Sequence, residues 1–261
     1  MIDIHTHILP GIDDGSAHDD EALALARAAA ADGIRTLMAT PHHANGRYLN
    51  PASDVRRLVE EMNRKLELAG IEVAVAAGQE IRVHDDLLDA WRREELLTLA
   101  GSRYILLEMP SSSIPQGMEE LMHELAVLGL VPVIAHPERN AEVVQHPERL
   151  AELVELGAIG QVTTHSLLGG FGKRIEQSAW KLLRQGSIHI VSSDAHHPDR
   201  RGFRLSEAYA SIEQSMGAEW SGYLKGNAEA ILANRALGAM PSLPVPGGGV
   251  LRKLFSGLLR K

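Results

Sequence analysis

Residues 2–7, Ile2-Asp-Ile-His5-Thr-His7, form a short apolar run that ends in two histidines. Because successive side chains of a β-strand point to opposite faces, this spacing puts both imidazoles on one face of the strand. Similar apolar or β-branched runs recur along the chain, at residues 36–39, 73–77, 104–107, 131–135, 159–163 and 188–191. The sequence therefore predicts seven strands.

Longer stretches between these runs have apolar residues at helical spacing, at residues 20–31, 54–68, 119–128, 147–156 and 174–183. Regular alternation of strand and helix predicts a parallel sheet covered by helices, and seven such units favour an irregular closed barrel. An open doubly wound sheet is the alternative, although the chain has no glycine-rich dinucleotide or P-loop motif to favour it. We expect an α/β domain over residues 1–240, a Pro/Gly linker over 241–249 and a separate tail over 250–261.

The composition excludes several classes of protein. The chain has 261 residues, of which 44% are hydrophobic and 23% charged, as is typical of a folded globular protein. It has no cysteine, which excludes thiolate metal sites and phosphatases with a cysteine nucleophile. A formal net charge of −8 argues against a non-specific nucleic-acid binder. No apolar run approaches the roughly 20 residues that cross a bilayer, and the chain opens with no cleavable leader, so we expect a cytoplasmic protein.

The tail is basic and amphipathic. Apolar residues fall at helical spacing among basic ones: Leu251, Leu254, Phe255, Leu258 and Leu259 with Arg252, Lys253, Arg260 and Lys261. Such a segment suits peripheral contact with the inner face of an anionic membrane, while packing against the barrel or a neighbouring chain is an equal alternative.

Residue types that bind metals follow almost every predicted strand. They are His5, His7, His42, Glu80, Glu108, His136, Asp194 and His196. The carboxyl ends of parallel strands open onto one face of a barrel, so these side chains are expected to converge. Imidazoles and carboxylates without thiolates suit manganese, iron, zinc or magnesium, and the ligands exceed the needs of one ion. We therefore predict two or three divalent ions, an arrangement that can hold a phosphate and generate hydroxide.

Several motifs give the chain a specific resemblance. The segment Asp3-Ile-His5-Thr-His7-Ile-Leu-Pro-Gly-Ile-Asp-Asp14-Gly resembles the opening motif of tyrosine-protein phosphatases of the polymerase-and-histidinol-phosphatase (PHP) superfamily. Further motifs follow in that family's order: Thr40-Pro-His42, Gly78-Gln-Glu80, Leu107-Glu108, Ala135-His136-Pro-Glu-Arg139, Ser166-Leu-Leu-Gly169, Phe171-Gly172, Ser193-Asp194-Ala-His196 and Asn227-Ala-Glu. The resemblance covers roughly residues 1–235 and departs at His165 and His197, where the family usually has a small residue and an asparagine.

The resemblance implies a distorted seven-stranded barrel with three metal ions, typically manganese. One ion would take His5, His7, Glu80 and Asp194. A second would share Glu80 with Glu108 and His136, and a third would take Asp14, His42 and His196. Arg139 and Arg201 match arginines beside the phosphate, and guanidinium groups can grip two phosphate oxygens at once.

The activity that the resemblance implies is hydrolysis of phosphotyrosine, usually on a bacterial tyrosine kinase that controls capsule or exopolysaccharide synthesis. We expect in-line attack by a metal-generated hydroxide, with His42 or His196 as candidates to relay a proton to the leaving group. The alternatives are a phosphatase for a small phosphomonoester such as histidinol phosphate, a nuclease, and a non-catalytic protein that uses metals for stability.

Overall fold

The computed structural model describes residues 1–242. These residues contain nine strands: β1 (Ile2–Thr6), β2 (Thr36–Ala39), β3 (His42–His43), β4 (Ala74–Ala77), β5 (Glu80–Arg82), β6 (Tyr104–Glu108), β7 (Val131–Ala135), β8 (Ile159–Thr163) and β9 (Ile188–Ser192). Ten helices accompany them: α1 (Asp19–Ala31), α2 (Ala52–Leu68), α3 (Leu87–Arg92), α4 (Met118–Val127), α5 (Ala141–Gln145), α6 (Glu148–Glu155), α7 (Thr164–Leu167), α8 (Lys173–Arg184), α9 (Leu205–Met216) and α10 (Ala218–Leu232). Single 3-10 turns lie at Leu99–Gly101 and Pro137–Arg139.

All strand pairs are parallel, and they form two sheets with the orders β1-β2-β4 and β3-β5-β6-β7-β8-β9. The predicted α/β class and all seven predicted strand positions are confirmed. The predicted closed barrel of seven strands is not confirmed. Two further short strands, β3 and β5, follow β2 and β4 after a break and pair in the other sheet. An isolated bridge from Thr6 to Ala195 joins β1 to the segment just after β9.

Alternate residues of the strands face two apolar cores. In β6, Ile105 and Leu107 lie in an outer core against the helices, whereas Tyr104 and Leu106 lie in an inner core. Strands β1, β2, β6, β7, β8 and β9 all contribute to this inner core, and α10 adds Ala228 and Ile231. Because side chains alternate along a strand, Glu108 continues the inner-facing row of β6 above the inner core. The apolar packing therefore ends in charged groups at the carboxyl end of the strand.

The predicted linker starts at residue 241, just before the described part of the chain ends at residue 242. The rest of the linker and the tail over 250–261 lie outside the described residues, so the membrane contact stays a prediction. Within residues 1–242, no helix combines the length and apolar character that crossing a membrane requires.

Candidate metal centre

The nine residues predicted as metal ligands lie together at the carboxyl ends of the strands. They fall into four overlapping groups whose ligand atoms lie within 4.8 Å of one another: His7 with Asp14, His42 and His196; His5 with His7 and Glu80; His5 with His136 and Asp194; and His42 with Glu80 and Glu108. Each residue sits on a strand, within four residues after the end of one, or in the loop after β1. The chain positions are far apart, and it is the parallel topology that brings them together.

One compact arrangement, which draws on two of these groups, consists of His5, His7, Glu80 and Asp194. The Nε2 atoms of His5 and His7 lie 3.3 Å apart. The distance to Glu80 Oε2 is 3.4 Å from His5 and 3.3 Å from His7, and the corresponding distances to Asp194 Oδ1 are 3.4 and 3.3 Å. Neighbouring ligands of one ion, with bonds of about 2.1 Å, stand roughly 3.0–3.5 Å apart. These four side chains therefore fit the ligand set of a single divalent ion.

A second group lies beside it around Asp14. The Oδ1 atom of Asp14 is 3.4 Å from Nε2 of His42 and 3.4 Å from Nε2 of His196. Nδ1 of His42 points the other way, 2.9 Å from Glu80 Oε2 and 3.8 Å from Glu108 Oε2. His42 thus stands between two groups, whereas the family resemblance implied that it serves one ion only.

Glu80 lies at the centre of the cluster. Its Oε2 atom faces His5, His7 and His42, and its Oε1 atom is 2.7 Å from Nε2 of His136. A carboxylate with partners on both oxygens suits a bridging ligand, the role that the resemblance implied for Glu80. His136 groups with His5 rather than with Glu108.

Hydrogen bonds fix which nitrogen of two imidazoles faces the cluster. The amide of Gln161 donates from Nε2 to Val162, so its Oε1 is free to accept from Nδ1 of His5 at 3.1 Å. Nδ1 of His196 donates to the carbonyl oxygen of Asp194 at 2.9 Å. An imidazole that donates from Nδ1 presents a lone pair at Nε2, which is the form that binds a metal.

Asp13 performs the same function for His7, and the sequence analysis missed it. Its Oδ2 atom is 2.6 Å from Nδ1 of His7 and accepts a hydrogen bond from the backbone N–H of His42 at 3.2 Å, while Oδ1 accepts from Gly15 at 2.9 Å. Asp13 thereby ties two potential ligands together from behind. The only sequence signal was its place beside Asp14 in the opening motif, where two adjacent carboxylates cannot be told apart.

Gly15 allows this loop to close on β1. A Cβ atom at this position would stand 2.1 Å from the carbonyl oxygen of His7 and 2.5 Å from its Cβ. Only glycine permits so close an approach between two backbone segments. The close contact positions Asp13 and Asp14 against the end of the strand.

Four potential ligand atoms are buried without a hydrogen-bond partner among residues 1–242: His42 Nδ1, Glu80 Oε2, Glu108 Oε2 and Asp194 Oδ1. Although some lie near another polar atom, the geometry is not that of a hydrogen bond. Buried polar atoms are rarely left unpaired, because each unpaired atom costs about 1–3 kcal/mol of stability, and a charged one costs more. Bound cations would satisfy these atoms, so the residues present fit a metal centre.

Two of the same residues have unusual backbone conformations. His136 has a φ of 34° and Asp194 a φ of 55°, in the left-handed region that residues other than glycine seldom adopt. Such conformations cost of order 1–3 kcal/mol and tend to occur at functional sites. Here they follow directly after β7 and β9, where the chain turns the side chain into the cluster.

The carboxylates and imidazoles perturb one another's protonation. Burial, together with the charge of Glu80, raises the pKa of Glu108 to about 7. Burial, together with the charge of Arg139, lowers the pKa of His136 to about 4. A neutral His136 imidazole at physiological pH can bind a cation. A bound cation would also stabilise the ionised form of Glu108 beside the charge of Glu80.

Arg139 and Arg201 stand on the open side of the cluster. A terminal nitrogen of each contacts Oδ2 of Asp194, and together they outweigh burial and lower the pKa of that carboxyl. Both arginines line a cavity of about 150 Å³ that also reaches His42 and Glu108. Their Nε atoms are buried and unpaired among the described residues. The site thus pairs a group of cation ligands with two guanidinium donors for an anion.

Several histidines outside the predicted ligand set also lie outside the four groups. His18 accepts a hydrogen bond from Glu21 at the start of α1, and His189 accepts one from the backbone N–H of Gly160.

A parallel α/β fold with such a cluster and two guanidinium groups at its strand ends fits a metal-dependent phosphoesterase. The chain belongs to the capsular polysaccharide synthesis family CpsB/CapC, whose family model matches residues 1–233. The resemblance recognised in the sequence motifs is thereby confirmed.

Individual relatives agree with this membership. Tyrosine-protein phosphatase YwqE of Bacillus subtilis (strain 168) is 42% identical over 255 residues, which cover 98% of this chain and 99% of the relative. A putative tyrosine-protein phosphatase, CapC of Staphylococcus aureus, is 35% identical over 99% of this chain and 100% of its own length. A solved structure from work on YwqE and on CpsB of Streptococcus pneumoniae, described as unique metal-dependent tyrosine phosphatases, superimposes with a TM-score of 0.90. At 42% identity it covers 94% of this chain and 99% of that one.

Proposed function

We propose that this chain is a metal-dependent protein-tyrosine phosphatase that acts on a bacterial tyrosine kinase controlling capsule or exopolysaccharide synthesis. The observation that carries the proposal is the convergence of nine histidine and carboxylate side chains beside two arginines that face one cavity. Family membership and the named activity of relatives over nearly the full length of the chain support it.

The proposed resident ions are two or three divalent cations, with manganese as the preferred metal. The cluster offers only nitrogen and oxygen ligands, which suits manganese and leaves iron, zinc and magnesium as alternatives. When bound, such ions supply charge for the phosphate oxygens and a water acidic enough to act as the nucleophile near neutral pH. The proposed ligands are His5, His7, Asp14, His42, Glu80, Glu108, His136, Asp194 and His196.

Arg139 and Arg201 are proposed to hold the phosphate. Each has an unpaired buried Nε–H near the cavity, and each is anchored at its other end by Asp194. A guanidinium held at one end loses little entropy on binding and can donate two parallel hydrogen bonds to phosphate oxygens. The two side chains would also stabilise charge that develops on those oxygens in the transition state.

The leaving group fits this set of residues. Both nitrogens of His42 face carboxylates, and Nδ1 of His196 is engaged by a backbone carbonyl, so both act as ligands in this proposal rather than as proton relays. A phenolate, with a pKa near 10, departs without strong acid catalysis, whereas an alkoxide needs a proton. This favours phosphotyrosine over histidinol phosphate.

The test is hydrolysis of a phosphotyrosine peptide by the purified protein, measured after chelation and again after manganese is restored. We expect activity to vanish with the chelator and to return with manganese. His136→Ala should remove activity, since it deletes an imidazole 2.7 Å from Glu80, while His123→Ala on the exposed face of α4 should keep it. Histidinol phosphate assayed in parallel should be the poorer substrate.

A folded, metal-loaded wild type that is inert on phosphotyrosine would refute the proposal. Hydrolysis of histidinol phosphate in that case would identify the chain as a metabolite phosphatase, and loss of both activities would favour a non-catalytic metal protein.

A further inference from the structure

Phe171 is an exposed aromatic residue at the edge of the site, in the loop between α7 and α8. It keeps 38% of its surface accessible, whereas Phe203 is buried to 3%. The sequence motif Phe171-Gly172 has no place in the metal centre or in the phosphate contacts described above. An apolar ring held in water next to a charged cavity invites a functional explanation.

The ring lies against both arginines. The guanidinium carbon of Arg139 is 5.2 Å from the ring centroid, and that of Arg201 is 5.8 Å away. These distances are within the range of cation–π contacts. The ring therefore stands beside the two groups proposed to hold the phosphate.

The loop that presents Phe171 is well supported. The N–H of Gly170 donates to the carbonyl oxygen of His165 at 2.7 Å, and a Cβ at Gly170 would stand 3.0 Å from that imidazole. The His165 ring lies behind Phe171, with centroids 5.8 Å apart. Gly172 has a φ of 88°, which only glycine adopts readily, so the turn after the ring is fixed as well.

The cavity itself offers little to an aromatic ring. Its lining is mainly charged or polar, and Met109 and Ala135 are the apolar residues among those that line it. A phosphate fits such a lining, whereas a phenyl ring attached to it gains more from apolar surface at the mouth. Aromatic pairs contribute about 0.5–1.5 kcal/mol beyond the area that they bury.

We propose that Phe171 is a specificity-determining residue, which packs against the phenyl ring of phosphotyrosine while Arg139 and Arg201 hold its phosphate. The inference rests on the proposed function and adds the means by which an aryl phosphate is preferred over an alkyl phosphate.

The test compares non-hydrolysable ligands on the manganese-loaded protein. Phenylphosphonate, methylphosphonate and inorganic phosphate would be titrated by calorimetry into wild type and into Phe171→Ala, Phe171→Tyr and Phe171→Leu. We expect Phe171→Ala to weaken the affinity for phenylphosphonate by about 3- to 10-fold, while the affinities for methylphosphonate and phosphate change by less than about twofold. Phe171→Tyr should keep the preference, and Phe171→Leu should keep part of it.

Leu156→Ala is the matched control, because Leu156 is likewise exposed, at 49%, but precedes β8 at the opposite end of the sheet. It should leave all three affinities unchanged. If Phe171→Ala weakens the affinity for all three ligands equally, the ring only positions the arginines. If no affinity changes, the ring does not contact the ligand. Either result overturns the proposal. Failure to bind phenylphosphonate in the wild type would do the same.

Binding of phosphonates does not depend on turnover. The wild type could fail to hydrolyse phosphotyrosine while Phe171→Ala selectively weakens the affinity for phenylphosphonate. That combination would support the aryl site and refute only the proposed reaction.

Discussion

The two ends of the parallel strands differ in whether their buried polar groups have hydrogen-bond partners. At the carboxyl ends, Glu80, Glu108 and Asp194 each leave a buried oxygen without a hydrogen-bond partner among residues 1–242. Near the amino ends, Asn227 of α10 donates to the carbonyl of His189 at 3.0 Å and accepts from Gly238 at 2.9 Å. Both sets of residues are almost fully buried, so burial alone does not distinguish them.

Other amino-end groups are satisfied in the same way. The hydroxyl of Tyr104, the first residue of β6, donates to the carbonyl of Arg235 at 2.6 Å, and Arg103 donates to Asn234 at 3.0 Å. These contacts tie the segment after α10 to the sheet.

The contrast separates structure from function within one fold. Satisfied polar contacts stabilise a unique native state, whereas the unsatisfied carboxylate oxygens of the site fit bound cations that would complete them. Changes at the carboxyl end should therefore reduce activity and metal binding, and changes at the amino end should reduce stability.

Among changes that leave every proposed ligand in place, the largest expected effect at the carboxyl end comes from Gly15→Ala. The added methyl group would overlap the backbone of His7 and push the loop that carries Asp13 and Asp14 off the strand. A displacement of about 1 Å at a catalytic group can cost roughly 100-fold in rate. We expect kcat/KM on a phosphotyrosine peptide to fall by about that factor, with a lower metal content per chain by elemental analysis.

Gly222→Ala is the control, since Gly222 is exposed within α10 and an added Cβ meets nothing within 4 Å. It should leave kcat/KM unchanged and stabilise the helix by about 0.5–1 kcal/mol. Wild-type metal content and activity in Gly15→Ala would show that the loop does not position the site.

Glu108→Gln tests whether the unsatisfied end is unstable without metal. Burial holds the pKa of Glu108 at about 7, above the ordinary 4.5, so the metal-free native state binds more protons than the unfolded chain between these values. The contribution of Glu108 to stability therefore falls as the pH rises from about 4.5 to 7. A glutamine side chain does not titrate, so it adds no pH dependence to stability. The free energy of unfolding of metal-free Glu108→Gln should exceed that of the wild type by about 2–3 kcal/mol at pH 8 and be similar to it at pH 4.

Urea unfolding of the chelated proteins at the two pH values measures this difference. Glu119→Gln, on the exposed surface of α4, should follow the wild type at both. A metal-free Glu108→Gln that is less stable than wild type at pH 8 would show that its ion pair with Arg82, at 2.9 Å, outweighs the cost of burial.

The sequence was sufficient for most of the fold because buried parallel strands appear as uninterrupted apolar runs. Strands β3 and β5 were missed, since two or three residues such as His42–His43 and Glu80–Arg82 carry no periodic pattern. Division of the strands between two sheets depends on these short elements, so the closure of the sheet was beyond a periodicity argument.

The convergence of the site was equally predictable, because most of its residues lie at or shortly after the carboxyl end of a predicted strand. How the ligands group was not, since it depends on which nitrogen of His42 or His136 faces which oxygen. Asp13 was missed for another reason: it acts through His7 and His42, which are its neighbours in space, and the sequence records only neighbours along the chain.

The smallest effect is expected at the satisfied end, from Asn227→Ala. The substitution leaves the carbonyl of His189 without its side-chain donor and the N–H of Gly238 without its acceptor, in a position that is 1% exposed. Loss of two such hydrogen bonds and of the side-chain volume should destabilise the protein by about 2 kcal/mol. Because these groups lie at the opposite end of β9 from Asp194, kcat/KM and metal content should match the wild type at temperatures where the variant is folded. Thermal unfolding and peptide hydrolysis on the same sample measure both quantities, and a loss of activity in the folded variant would mean that the two ends are coupled through β9.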